Sequence, residues 1–486
     1  MALYRRTASA VLATLVAGCS LQPVYQRPEA PVSAAFPAGD AYKALPGGAG
    51  STTLPAGDIG WRNFLPDPRL QRLVELALQN NRDLRVAVLN IEQVQAQYRV
   101  QRSALYPQVS AVADSAATRT QGNTFHQYAA GITASWALDF FGRVRSLSDA
   151  ALQQYFASAY ARQAFEILLV SQVADQYLTM LAFDEQLAVT RNTLQTSEAS
   201  YKIVKLQFDT GTVAELDLRL ADTIVEQAQA NYAALVRLRA QAENALVLLV
   251  GHPLPSDLPP AVKLGAQPIL ADIPAGLPSD LLQRRPDILQ AEALLRAENA
   301  NIGAARAAFF PSISLTGSLG TASATLGGLF GAGAGTWSFI PSLVAPIFNG
   351  GLNQANLDIA KVQKDIGIAQ YEKSIQTAFR EVSDGLAARG TFDDQLAAQV
   401  RFTDAEQRRL DLANMLYTNG IDSYLQVLTA QTDLYNAQLA LVLTRLNRLT
   451  GLVDLYRALG GGWIQHTGDE PRPADTSGRP MPSAAR

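Results

Sequence analysis

Twice along this chain the spacing of apolar positions changes period at a proline. Before Pro311 the run ILQAEALLRAENANIGAARAAFF is rich in alanine and glutamate at helical spacing. After it Ile313, Leu315 and Leu319 alternate with Ser312, Ser314, Thr316 and Ser318. A period of 3.6 gives way to a period of 2, which predicts a helix running straight into a strand. RSALYPQVSAVAD repeats the change at Pro107. The pattern predicts strands over 108–118 and 127–139, separated by the turn-forming QGNT, and over 312–322 and 336–347, separated by the glycine-rich TLGGLFGAGAG. Alternation is clearest at Tyr128, Ala130, Ile132, Ala134, Trp136 and Leu138, whose neighbours are mostly small or polar.

Long helical stretches fill most of the remainder. A helix is predicted over 67–105, ending at Pro107. Residues 145–208 hold neither proline nor glycine, and 352–417 hold no proline and only Gly367, Gly385 and Gly390. Roughly 60 residues of helix at ~1.5 Å each reach about 90 Å, more than a compact domain can use. Gly211 and Gly420 then permit tight reversals, and 213–250 and 421–459 return as shorter helices.

These elements form a tandem repeat. Ala104-Leu105-Tyr106-Pro107 falls on Ala308-Phe309-Phe310-Pro311 at an offset of 204, which also brings NNRD (80–83) onto RRPD (284–287). FGRV (141–144) meets NGGL (349–352) at 208, and FDTGTVAELDLRLAD meets YTNGIDSYLQVLTAQ at 209. Each half reads helix, strand, turn, strand, long helix, glycine, helix.

Composition narrows the class. The chain has 486 residues, 48% of them hydrophobic, and a formal net charge of −3, too small to argue for nucleic acid or an acidic substrate. The glycine run at 325–335 has no Lys-Ser/Thr after it and no helix behind it, so it reads as a hairpin loop rather than a phosphate cradle. There is no HExxH, and His126, His252 and His466 are scattered, so neither enzymatic activity nor a metal or cofactor site is expected. The single cysteine, Cys19, follows Arg5, Arg6 and the apolar run AVLATLVAG. That run is too short to span a membrane and reads as a signal peptide over 1–18. VAGC resembles a bacterial lipobox, which implies a covalent lipid on Cys19 as the first mature residue, and Ser20 resembles the pattern of lipoproteins sent to the outer membrane. No disulfide within the chain is possible.

Strands of 10–12 residues match a tilted bilayer crossing, although a soluble two-faced sheet would alternate in the same way. An exported lipoprotein with rods too long for a globule favours the membrane. Only closed barrels cross lipid without exposed edges, and four strands cannot close even an eight-stranded barrel. The chain is therefore expected to contribute part of a shared barrel.

The lipobox, the segment LLQRRPDILQAEALLRAENANIGAARAAFFPSISL and the paired tips FDTGTVAELDL and YTNGIDSYLQVLTAQTDLYNAQL resemble the outer membrane factors, the TolC-like channels of Gram-negative efflux systems, and in particular their lipoprotein branch. The resemblance runs from about Leu15 to Trp463. It implies an α+β membrane protein built as a homotrimer, with one 12-stranded β-barrel, four strands per chain, continued into the periplasm by a long α-helical barrel. Pro107 and Pro311 mark the junction of barrel and tunnel. The divisions it implies are a lipidated segment with part of an equatorial belt over 19–66, a first repeat over 67–250, a linker and belt over 251–285, a second repeat over 286–459, and a belt segment with a disordered tail over 460–486.

The same resemblance implies the outer membrane exit duct of a tripartite efflux pump. Its partners are a periplasmic adaptor, an inner membrane RND-type transporter and outer membrane lipid. Type I secretion and metal efflux remain alternative duties, as does a structural lipoprotein spanning the periplasm, although four methionines give no support for a methionine-based copper relay. A gate is implied where the hairpin tips at Gly211 and Gly420 converge. By position, Leu425, Thr429 and Asp217 would form its constriction, with Arg219 a possible partner for Asp217. Asp422, Tyr424 and Arg219 would make contacts between hairpins. The second tip departs from the family in having Thr429 where relatives often carry aspartate. Asp217 and Asp422 also suit the starts of helices, where a carboxylate favours the dipole.

Overall fold

The computed structural model describes residues 20–43, 54–271, 273, 276 and 278–469. Cys19, the signal peptide and the tail from 470 onward lie outside the described residues. Among those described are nine α-helices: α1 (Trp61–Phe64), α2 (Pro68–Asn80), α3 (Arg82–Ser103), α4 (Arg143–Asp209), α5 (Glu215–Val250), α6 (Pro278–Arg284), α7 (Pro286–Ala307), α8 (Leu352–Thr418) and α9 (Tyr424–Ala458). Four strands join them: β1 (Gln108–Thr120), β2 (Asn123–Leu138), β3 (Ser312–Ser323) and β4 (Gly335–Val344).

The single helix expected over 67–105 is broken at Asn81, which ends α2 and caps α3. Its Oδ1 accepts from Leu84 N at 2.9 Å, and its Nδ2 donates to the Leu249 carbonyl of α5 at 2.8 Å. A side chain that satisfies a free helix-end amide and ties the bend to another helix makes the break worth more than a continuous ladder. The second repeat breaks at the matching place, Arg285, because Pro286 disfavours helical backbone at the residue before it. Buried Arg285 donates to both Asp287 oxygens (3.0 and 2.6 Å), to Glu381 at 2.8 Å and to the Ala458 carbonyl at 2.9 Å.

The repeat offset changes once. Gln108 and Ser312, which open β1 and β3, are 204 apart. Gly142 and Gly351, the left-handed caps of α4 and α8, are 209 apart, as are Gly211 and Gly420. The equivalence of FGRV with NGGL at 208 is therefore corrected to 209. The whole drift is a five-residue enlargement of the β3–β4 loop. With that offset α4 and α8 are both 67 residues long, each about 100 Å of helix.

The sheet is antiparallel in the order β1-β2-β3-β4. Gln121 and Gly122, both at positive φ, form the two-residue β1–β2 turn, as the right-handed strand twist favours. Paired positions separate the sheet's two faces. Val109, Ala113, Ile132, Trp136, Ile313, Leu315, Phe339 and Leu343 share one face, and Ser110, Asp114, Thr133, Ser314, Ser318, Ser338 and Ser342 the other.

The main core sits midway along the rods. There α1, α2 and the segments around Leu264 and Ile273 pack onto α4, α8 and α9. Phe64 stacks on Tyr456 with ring centroids 3.9 Å apart, and the Tyr456 hydroxyl donates to the Ile59 carbonyl at 2.6 Å. An extended strap, residues 20–43, runs along α7 and α8. The Leu21 carbonyl accepts from Arg306, Arg27 binds Glu292 at 2.6 Å, Phe36 stacks on Phe379, and Lys43 pairs with Asp394.

Candidate channel and tip gate

Pro107 and Pro311 lie where the structure turns from helix to strand, one residue before β1 and β3. From these junctions the paired helices lead to two tips about one long helix away. At Gly211 (φ +76°) and Gly420 (φ +70°) the chain adopts a left-handed conformation that a side chain would strain. The closing bonds match: Thr212 N donates to the Gln207 carbonyl at 2.8 Å, and Ile421 N to the Leu416 carbonyl at 2.9 Å. In each case an amide beyond the cap satisfies a carbonyl that the helix leaves free.

A small apolar cluster joins the two hairpins just behind the tips. It contains Val204 of α4, Ala221 of α5, Ala413 of α8, and Tyr424, Val427, Leu428 and Ala430 of α9. Tyr424, 6% exposed, lies 5.2 Å from the Tyr417 ring and shares a hydrogen bond with the Ser200 side chain. Burial pushes its hydroxyl up to about 12, against the Ser200 hydrogen bond, which acts the other way. Tyr424 is thus a contact between hairpins, made within the chain.

The other tip residues divide. Within the chain Arg219 pairs with Glu215 at 3.2 Å and reaches Asp222 at 3.9 Å, both on its own helix, rather than with Asp217. Asp217 is half-buried in the first turn of α5, where its charge suits the helix dipole. Exposed Asp422 accepts from Ser423 N at 2.7 Å and so shapes its own turn. Leu425 is 51% exposed, and Thr429, one turn on, returns its hydroxyl to the Leu425 carbonyl at 2.9 Å, so both face outward from the cluster.

Sequence reasoning missed the polar bridges between α4 and the second hairpin. Tyr417 donates to Gln207 Oε1 at 3.0 Å, Gln431 to Ser197 Oγ at 2.9 Å, and the Thr190 and Tyr435 hydroxyls meet at 3.0 Å. The available signal was Gln431 and Tyr435, four apart on the same stripe as the apolar positions of α9.

A sheet apolar on one face, joined at prolines to helices of about 100 Å, defines an outer membrane channel protein that continues as a helical duct. The sequence pattern of the family "Outer membrane efflux protein" matches residues 73–252 and 277–461, and the chain belongs to that family. The toluene efflux pump outer membrane protein TtgC of Pseudomonas putida is 49% identical over 468 residues, covering 94% of this chain and 96% of that protein. Outer membrane protein OprJ of Pseudomonas aeruginosa is 44% identical over 466 residues, covering 94% and 95%. The open-state structure of the Neisseria gonorrhoeae outer membrane channel MtrE superposes with a TM-score of 0.83 at 40% identity, covering 92% of this chain and all of that one. The protein is an efflux channel of the outer membrane.

Proposed function

We propose that three copies of this chain close one 12-stranded barrel and one helical tunnel, forming the passive exit duct of a tripartite pump for organic solvents and antibiotics. A periplasmic adaptor joins the duct to an RND-type inner membrane transporter, which supplies the energy. The observation that carries this reading is the pair of unpartnered sheet edges, β1 and β4, flanking an outward face with Trp337 78% exposed. In lipid an open edge leaves backbone groups unsatisfied at several kcal/mol each, so the sheet must be completed by other copies. The names of relatives from toluene and antibiotic pumps support the cargo class.

A covalent lipid on Cys19 fits the strap. Arg306, which holds the Leu21 carbonyl, is five residues before the Pro311 junction, so the strap begins at the membrane end of the tunnel. At the opposite end, Leu425, Thr429 and Asp217 narrow the duct when tips from three copies converge. Native mass spectrometry in detergent and single-channel recording in planar bilayers test the proposal. A trimer giving a conductance that switches between closed and open levels is expected; a monomer, or a trimer without a pore, refutes it.

A further inference from the structure

The strap along α7 has no counterpart in the first repeat, and two of the residues that stand in its place are arginines. By the offset of 204 that sets β1 on β3, Glu292, Gly303 and Arg306 of α7 fall on Val88, Arg99 and Arg102 of α3. Gly303 lets the strap pass, since a Cβ there would lie 2.9 Å from Gln22 Cα. In the first repeat Arg99 occupies that path, and Val88 cannot replace the carboxylate that holds Arg27 at 2.6 Å. Arg306 donates to the Leu21 carbonyl at 3.2 Å. Its equivalent, exposed Arg102, has no side-chain hydrogen bond or ion pair among the described residues, and Arg99 reaches only the neutral Gln95, at 2.7 Å.

Charge at this level is one-sided. The four helix ends that meet the strands, residues 99–107, 139–147, 303–311 and 345–356, carry Arg99, Arg102, Arg143, Arg145 and Arg306 against the single carboxylate of Asp139, which pairs with Arg145. The next carboxylates, Asp149 and Asp358, lie more than a turn farther from the strands. Copies packed side by side bring no other carboxylate to this level, because each carries the same residues. The level is also that of a membrane surface. Trp136, on the apolar face of the sheet, donates its indole N–H to the Leu105 carbonyl at 3.0 Å, and Tyr106, Phe309 and Phe310 are exposed in the links between helix and strand. Amphipathic rings settle where hydrocarbon gives way to headgroups. Arg102 stands three residues before Leu105, about one helical turn outside that line.

We propose that Arg102 and Arg99 bind the phosphate of an anionic phospholipid from the membrane leaflet that faces the periplasm. A guanidinium fork matches phosphate oxygens, and arginines near a surface of anionic lipid are drawn to it by charge. In the second repeat the strap supplies the acceptor oxygen to Arg306; in the first repeat the lipid supplies it to Arg102. The inference goes beyond the trimeric duct, since it assigns one site to each copy.

Native mass spectrometry of delipidated protein in detergent, titrated with phosphatidylglycerol or with phosphatidylethanolamine, tests the site. The parent is expected to hold phosphatidylglycerol at about one molecule per chain, in preference to phosphatidylethanolamine. Arg99→Gln with Arg102→Gln should weaken phosphatidylglycerol binding by roughly thirtyfold, the effect of two arginines near an anionic surface. Arg401→Gln with Arg408→Gln, the same loss of charge on α8 toward the tips, should leave it unchanged. All four side chains are exposed, so both variants are expected to melt with the parent. A first variant that binds phosphatidylglycerol as the parent does, or a parent that holds both lipids equally, overturns the site. Displacement of the lipid by millimolar inorganic phosphate at constant ionic strength would make this a free-anion site and also overturn it. A parent that stays monomeric yet keeps one lipid per chain overturns the duct and leaves the lipid site standing.

Discussion

The Tyr417 hydroxyl, in the last turn of α8, donates to Gln207 Oε1, in the last turn of α4, at 3.0 Å. It joins the two hairpins within four residues of both tip glycines. Whatever swings one tip away from the other must break this bond.

Tyr417→Phe is therefore expected to loosen the closed state. A net hydrogen bond of about 1 kcal/mol corresponds to roughly a fivefold shift in a two-state equilibrium. Single-channel recording should show open probability rising by about that factor with unchanged open conductance. An unaltered open probability would show that the hairpins move together.

With the tips of three copies converged as proposed, Asp217 would place one carboxylate per copy at the narrow end, and a ring of like charges concentrates cations. Asp217→Asn should reduce cation preference, read as a smaller reversal potential across a salt gradient. Selectivity equal to the parent's would remove Asp217 from the constriction.

Asp175 of α4 has a buried Oδ1 that makes no hydrogen bond. Burial foremost, then Asp454, push its carboxyl up to about 7 against the pull of Arg457. Unfolded, the group titrates near 3.8. Between these values the folded chain keeps a proton that the unfolded chain releases. Its stabilising contribution is full below about pH 4 and is lost as pH rises through about 7. Asp175→Asn should raise the melting temperature at pH 8 and flatten its dependence between pH 5 and 8. A variant that melts with the parent's pH profile would assign that dependence elsewhere.

Arg285→Ala should cost about 1–3 kcal/mol, because it takes a buried guanidinium away from the partly exposed carboxylates of Asp287 and Glu381 and from the Ala458 carbonyl. Arg285→Lys should rescue little, since an ammonium cannot replace the planar fork that holds both Asp287 oxygens. Thermal unfolding followed by circular dichroism measures both.

The strap predicts that Cys19→Ser abolishes labelling by radioactive palmitate and lowers the amount in the membrane, while purified protein still forms pores. A lipid adds about 0.8 kcal/mol per buried methylene, whereas the barrel has its own apolar face. Palmitate labelling of the serine variant would place the lipid at another residue.

What the sequence determined by itself is whatever short stretches of chain encode. Pro107 and Pro311 end helices wherever they stand, the alternation of Tyr128 to Leu138 permits only a strand, and Gly211 and Gly420 allow the left-handed turn. The repeat, read at offsets of 204, 208 and 209, carried the order of elements. Tertiary structure decided what depends on which helices become neighbours. Asn81 breaks its helix because the Leu249 carbonyl, 168 residues away, accepts its amide. Arg219 prefers Glu215 and Asp222 because an α-helix sets residues three and four apart on one face, whereas Asp217, two away, points elsewhere. Tyr417 and Gln207 meet only because α4 and α8 have equal length and so bring their last turns level. Periodicity and turn chemistry act over a few residues and can be read along the chain; a bond between rods depends on their register, which is set by packing over the full length of the fold.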